Sequence, residues 1–244
     1  MLAAERALIA VVMLAAACSG QSPSPSRRLE TGPQTDCRNE TRARTDRGLR
    51  KSSARGDVDG DGAVDEIHLV VDEGAEIGCR VFLVVRGESG SRVLAVDREA
   101  VSFELGLPVL VDLAQVDGEP GADVVVDLLA GASTVFAGVF TMGSGELAQL
   151  RVASDQAATD DLFAHEGSVG HLDGVDCGPR GTVVVSSAFP KGARYEVRRR
   201  SLEARAGVLR AERSSKEIVV VALDRLLRRF PEFATPPFSS CPDS

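Results

Sequence analysis

The chain of 244 residues has no tryptophan and a single tyrosine, Tyr195. Surfaces that grip sugars or single-stranded nucleic acid need aromatic platforms for stacking, so both functions are disfavoured. Lysine is scarce as well: Lys51, Lys191 and Lys216 stand among many arginines. That bias, with abundant Ala, Val, Gly and Asp, reflects a high-GC coding genome and carries no functional message. No GxSxG, HExxH or phosphate-binding loop occurs. None of the cysteine spacings is CxxC, which argues against zinc and thioredoxin-type redox chemistry. Histidine is limited to His68, His165 and His171, and these share no catalytic motif.

The opening MLAAERALIAVVMLAAACSG has one arginine followed by an apolar run from Ala7 to Ala17. The run is too short to span a bilayer and reads as a secretory signal peptide over residues 1–17. Ala15, Ala16 and Ala17 lead into Cys18, with Leu14 one place earlier than the usual pattern. The stretch resembles a bacterial lipobox, which implies that Cys18 is lipidated and becomes the mature N-terminus. The expectation is an exported protein held by its lipid at the outer face of the bacterial cell membrane. Acyl chains contribute about 0.8 kcal/mol per buried methylene, so two or more hold a protein there.

Residues 18–54 lack hydrophobic periodicity and are rich in Ser, Thr, Pro, Gly and Arg. They read as a disordered basic tether that cannot bury enough apolar surface to fold. Residues 55–244 then form one domain with its own core. Its charge is uneven, acidic from Asp57 to Asp127 and basic from Lys191 to Arg229. Four cysteines remain after Cys18: Cys37, Cys79, Cys177 and Cys241. In an exported chain they suggest two disulfides with three connectivities open. Sequence does not fix the choice; Cys37–Cys79 with Cys177–Cys241 is the pairing we expect.

Three segments share the form x-Φ-Asp-Gly: Asp57-Val-Asp-Gly, Gln115-Val-Asp-Gly and His171-Leu-Asp-Gly, 58 and 56 residues apart. Each feeds an aliphatic, β-branched run, such as Ile67-His-Leu-Val-Val. Short Val-rich strands are expected at 67–72, 80–86, 92–96, 109–115, 122–128, 134–141, 147–153, 181–186, 194–200, 207–213 and 218–222. Turn residues separate many of them, as in all-β repeat proteins. One helix is expected at 223–230, stopped by Pro231.

The first segment, GDVDGDGAVDE, sets Asp57, Asp59, Asp61 and Asp65 at loop positions 1, 3, 5 and 9. Gly62 at position 6 permits a sharp turn, and Ala63 at position 7 can offer its carbonyl. Four carboxylates this close repel unless a cation sits among them, and calcium takes six to eight hard oxygen ligands. An EF-hand needs a bidentate Glu at position 12 and flanking helices; this chain has His68 there, in a predicted strand. The loop is similar instead to that of FG-GAP repeats, the integrin-α type close to bacterial VCBS repeats. The resemblance implies Ca2+ held by Asp57, Asp59, Asp61, Ala63 and Asp65. It also implies a β-propeller-like domain of about three repeats, incomplete or irregular. In the second segment Gln115 and Pro120 depart from the pattern, and whether it binds metal stays open. The third, with too few oxygens and a cysteine, reads as a metal-free turn.

Two functions follow as expectations. The first is a lipid-anchored, non-enzymatic calcium-binding module with a protein or cell-wall partner, contacting the membrane through its lipid and not binding nucleic acid. The alternative is a surface hydrolase using a carboxylate/His site, for which Asp160, Asp161, His165 and Glu166 form the available cluster in a predicted loop.

Overall fold

The computed structural model describes residue 37 and residues 50–97, 101–153, 161–167, 170–205, 207–219 and 222–242. The signal segment, Cys18, Asp160 and nearly all of the expected tether lie outside the described residues. Among the described residues the fold is all-β apart from one short helix and 3-10 turns.

The first sheet is an antiparallel meander of four strands: β1 (Arg50–Gly56), β2 (Asp65–Val71), β3 (Val81–Gly87) and β4 (Gly90–Ala95). β1 begins at Arg50, ahead of the expected domain start at 55. The sequence Arg50-Lys-Ser-Ser-Ala-Arg-Gly shows no apolar alternation, yet it pairs in register with β2, Arg55 opposite Glu66 and Gly56 opposite Asp65. An edge strand needs only one half-buried face and is commonly blunted with charge. The disulfide Cys37–Cys79 lies against this sheet, beside Val70, Phe82 and Val84.

The second sheet follows the order β5-β6-β7-β10-β11-β12-β13-β14-β9, with β8 attached to β7. Its strands are β5 (Val109–Ala114), β6 (Asp123–Ala130), β7 (Val135–Thr141), β8 (Ala148–Gln149), β9 (Arg151–Val152), β10 (Phe163–Gly167), β11 (Leu172–Cys177), β12 (Thr182–Lys191), β13 (Arg194–Arg205) and β14 (Val208–Val219). β8 pairs with β7, and β9 runs parallel to β14, so the chain at 148–152 touches both arms of a curled sheet. Neither sheet closes into a barrel or propeller.

Alternation explains the layering. Along β6, Val124, Val126 and Leu128 join Ile67, Leu69, Leu83 and Val85 of the first sheet in one core. Val125 points the other way, with Ala137 and Val139, into a second core against Val175, Val183, Leu202 and Leu209. Buried on both faces, β6 reads as the continuous run Asp123-Val-Val-Val-Asp-Leu-Leu. Each fully buried aliphatic side chain contributes about 1.5–3 kcal/mol, and these two cores carry most of them.

The disulfide Cys177–Cys241 ties the end of β11 to the C-terminal segment; both pairings are therefore the expected ones. Helix α1 (Leu223–Arg229) stops before Pro231, as expected from the sequence. It packs Leu226, with Phe230 and Phe233, on Ala188, Val197 and Val219. No described helix is long and apolar enough to cross a membrane.

Candidate functional site

The Asp-rich loop joins β1 to β2. Asp57, Asp59 and Asp61 place one carboxylate oxygen each within 4.8 Å of the others, the only such group among the described residues. Backbone N–H groups orient them. Asp57 accepts from Gly60 at 2.8 Å and, with its other oxygen, from Gly62 at 2.9 Å. Asp59 Oδ1 accepts from Asp61, and Asp61 Oδ1 from Ala63. Each bond fixes the direction of the carboxylate that accepts it. At 4.8 Å a pair of carboxylates repels by about 1–3 kcal/mol, depending on screening. Three such repulsions in one loop favour a cation among them.

Asp65 has a different place. It is 1 % exposed at the start of β2, and its Oδ2 accepts from the N–H of Val58 at 2.8 Å and of Asp59 at 3.3 Å. Its Oδ1 is buried with no hydrogen-bond partner. A buried carboxylate oxygen left bare is expensive, and it is an observation independent of the clustering of Asp57, Asp59 and Asp61. Gly87 makes room for it: a Cβ there would lie 2.1 Å from Asp65 Oδ1 and 3.8 Å from Asp59 Oδ2. These donors are all hard oxygens, the kind that a hard cation takes. Ser89 completes the surroundings by donating its hydroxyl to Asp59 Oδ2 at 3.2 Å. It comes from the β3–β4 turn, thirty residues along the chain, and no local motif could have pointed to it.

The second loop, between β5 and β6, repeats this scaffold. Asp123 Oδ2 accepts from the N–H of Val116 and Asp117, as Asp65 does from Val58 and Asp59. Asp117 Oδ1 accepts from Glu119, as Asp59 does from Asp61. Thr141 donates to Asp117 Oδ2 at 2.8 Å, in the role of Ser89. The difference lies at position 1: Gln115 donates its amide to the Glu119 carbonyl at 3.1 Å, where Asp57 offers two oxygens. Burial and the neighbouring Asp117 charge push the Asp123 carboxyl up to about 7.

The two loops interlock. The Ala122 N–H donates to the Asp57 carbonyl at 2.7 Å. Gly60, at φ +75°, sits so close to Pro120 that a Cβ would fall 2.7 Å from its carbonyl oxygen. The acidic loop is thus a joint between the two sheets.

The third segment corrects the expected turn. His171 precedes a strand, and Leu172–Cys177 is β11, paired along its length with β12. Asp173 accepts from Ser187 at 2.7 Å and lies 2.9 Å from His171 Nε2, which also meets Thr134.

The acid–base cluster is not assembled among its described members. His165 and Glu166 lie in β10 rather than in a loop. His165 is 3 % exposed and pairs with Asp127 of β6 at 2.8 Å. Asp161 accepts the Val152 N–H with Oδ1 and the Gln149 amide with its carbonyl. His68, on β2, is buried beside Glu66, 3.6 Å from its carboxylate.

No family model matches the chain, and neither does any curated protein or solved structure.

Proposed function

We propose that this is an exported, lipid-anchored calcium-binding protein of FG-GAP/VCBS type, whose all-β domain acts as a binding module for a protein or cell-wall partner. The observation that carries the proposal is the set of four aspartates in one loop. Three converge on a point, and the fourth brings a buried oxygen with no partner. Asp57, Asp59, Asp61 and Asp65 would hold the ion, with Ala63 adding its carbonyl. Calcium would supply charge neutralisation and a rigid cage in place of mutual repulsion. The loop's own contacts give that rigidity a consequence: through Asp57 and Gly60 it is fastened to the second loop, and so to the second sheet.

The kinship with FG-GAP repeats is supported by the β1–β4 meander, since a propeller blade is a four-stranded sheet, and by the shared scaffold of the two loops. The anchor rests on the apolar run before Cys18 and the Ser/Pro-rich stretch after it. A tethered domain presenting loops suits reaching for a partner near the membrane.

Thermal unfolding of residues 19–244, disulfides intact, in calcium and in chelator tests the proposal. At a free calcium of 100 times the Kd the expected gain is about 2.7 kcal/mol, or about 5–10 °C for a domain of this size. Asp61→Ala should abolish it. The gain should also fade in acid, because protons and metal compete for the same carboxylates. A midpoint indifferent to calcium would overturn the reading.

A further inference from the structure

A cleft of about 320 Å3 opens between the β11–β14 face and the C-terminal segment, lined by none of the acidic-loop residues. Its floor can be read from the strand register. Ser201 pairs with Arg213 and Arg199 with Ser215 across β13 and β14. Residues two apart on a strand share a face, so the four make a square with arginines on one diagonal and serines on the other. All four line the cleft. Diagonal neighbours in an antiparallel pair are about 7–8 Å apart, close enough for two long guanidinium groups to reach one ligand.

The wall adds a third cation. Arg199 and Arg229 both lie over the ring of Phe230, at 5.6 and 5.4 Å from its centroid. The shared ring holds two like charges at one rim of the cleft. The acidic groups of the cleft are already committed. Glu232, 5 % exposed, accepts from Ser186 at 2.7 Å and pairs with Arg199 at 3.2 Å. Asp176, 7 % exposed, takes the N–H and hydroxyl of Ser240 and the N–H of Cys177. Arg229 also pairs with Glu217.

Arg213 is different. Its guanidinium makes no ion pair or hydrogen bond with any described residue, and neither do the hydroxyls of Ser201 and Ser215. Three uncommitted donors therefore face one cavity, with two further guanidinium groups at its edge. Guanidinium forks and hydroxyls are the donors that phosphate oxygens select.

We propose that this cleft is a binding site for a phosphate-type oxyanion, with Arg213, Ser201 and Ser215 as its contacts and the ion-paired Arg199 and Arg229 beside them. The donors stand on a floor of two strands and on a wall, so they can meet a bound group from more than one direction. That arrangement fits a tetrahedral group better than a planar carboxylate. The ligand could be a free phosphate ester or the same group on a larger molecule; the contacts are the same. The site is separate from the acidic loop and does not depend on calcium.

The test is a titration of the secreted chain carrying Cys18→Ser with inorganic phosphate, in calcium-free chloride buffer of constant ionic strength. The resonances of the arginine Nε–H groups are followed. We expect saturable shifts at Arg213 and smaller ones at Arg199 and Arg229. Arg213→Gln should weaken binding by about tenfold or more, as loss of a charge-assisted bond does. Arg210→Gln removes the same charge from the same strand outside the cleft and should leave binding unchanged. Non-saturating shifts, or equal weakening by both variants, would mean general surface electrostatics and overturn the proposal. Displacement of phosphate by acetate at equal concentration would overturn the tetrahedral assignment.

Discussion

Asp123 offers a quantitative test of the second loop. Its carboxyl is 2 % exposed and is raised from 3.8 to about 7. Burial contributes most, then the charge of Asp117, against which the N–H groups of Asp117 and Val116 and the Thr141 hydroxyl pull it back. A carboxyl whose folded value lies above its unfolded value binds its proton more tightly in the native state. The stability it contributes is fully present below about pH 4 and is lost as pH rises to about 7. At about 1.4 kcal/mol per pH unit, the interval from 3.8 to about 7 corresponds to about 4 kcal/mol. Asp123→Asn keeps an oxygen for the two N–H donors and removes the charge. Urea denaturation from pH 4 to pH 8, in chelator to keep metal out of the balance, reads the effect. The wild-type chain should lose stability relative to the variant as pH rises, so that the variant is the more stable by up to about 4 kcal/mol at pH 8. Parallel curves would refute the reasoning, as would a wild-type advantage that grows with pH.

Other substitutions follow from the same contacts. Gly87→Ala would drive a methyl into Asp65 Oδ1; it should destabilise by about 1–3 kcal/mol and blunt any calcium-dependent gain, both read by thermal melts with and without the ion. Asp97, with a side chain 0 % exposed, accepts from Arg80 Nε and Nη2 and from the N–H of Gly78 and Arg80. Asp97→Ala removes the carboxylate that accepts both Arg80 bonds and should cost about 3–5 kcal/mol in urea denaturation; a change below about 1 kcal/mol would show the pair to be solvated. Replacing Cys177 and Cys241 together by Ser opens a link spanning 64 residues, worth about 4 kcal/mol by chain entropy. Limited proteolysis should then cut the C-terminal segment first, and unchanged resistance would contradict its dependence on the bridge.

What the sequence made legible was local. The Val-rich strands β2, β3, β6, β7 and β12 announce themselves by β-branched runs, and the acidic loop by its spacing. The helix at Leu223–Arg229 is marked by its following proline. Strands β10 and β11 were missed because their sequences, Phe-Ala-His-Glu-Gly and Leu-Asp-Gly-Val-Asp-Cys, put polar groups in the core. There His165 meets Asp127, and Asp176 is capped by Ser240. Gly174 interrupts the pattern because the Glu232 backbone passes where a Cβ would stand. β14 was read as two strands around a polar gap. It is one, held by its long partner β13, with the side chains of residues 210–217 exposed on both faces. Spacing alone singled out Asp57, Asp59 and Asp61, which the structure brings together. It did not single out Ser89, Thr141 and Gly87, since their part depends on strand pairing between distant segments. The reuse of one scaffold in both loops was only hinted at by Val-Asp-Gly. Its proof is the matching bonds of Asp65 and Asp123.

We propose that the first loop holds calcium; in the second, Gln115 stands where the first has Asp57 and gives its amide to the Glu119 carbonyl, so a single site is expected. The most direct measurement is the number of ions bound per chain, by equilibrium dialysis against radioactive calcium, for the wild-type chain and for Asp61→Ala. The account predicts one ion per chain in the first and none in the second. Two ions, or binding that survives Asp61→Ala, would place metal outside the first loop; no binding at all would contradict the account.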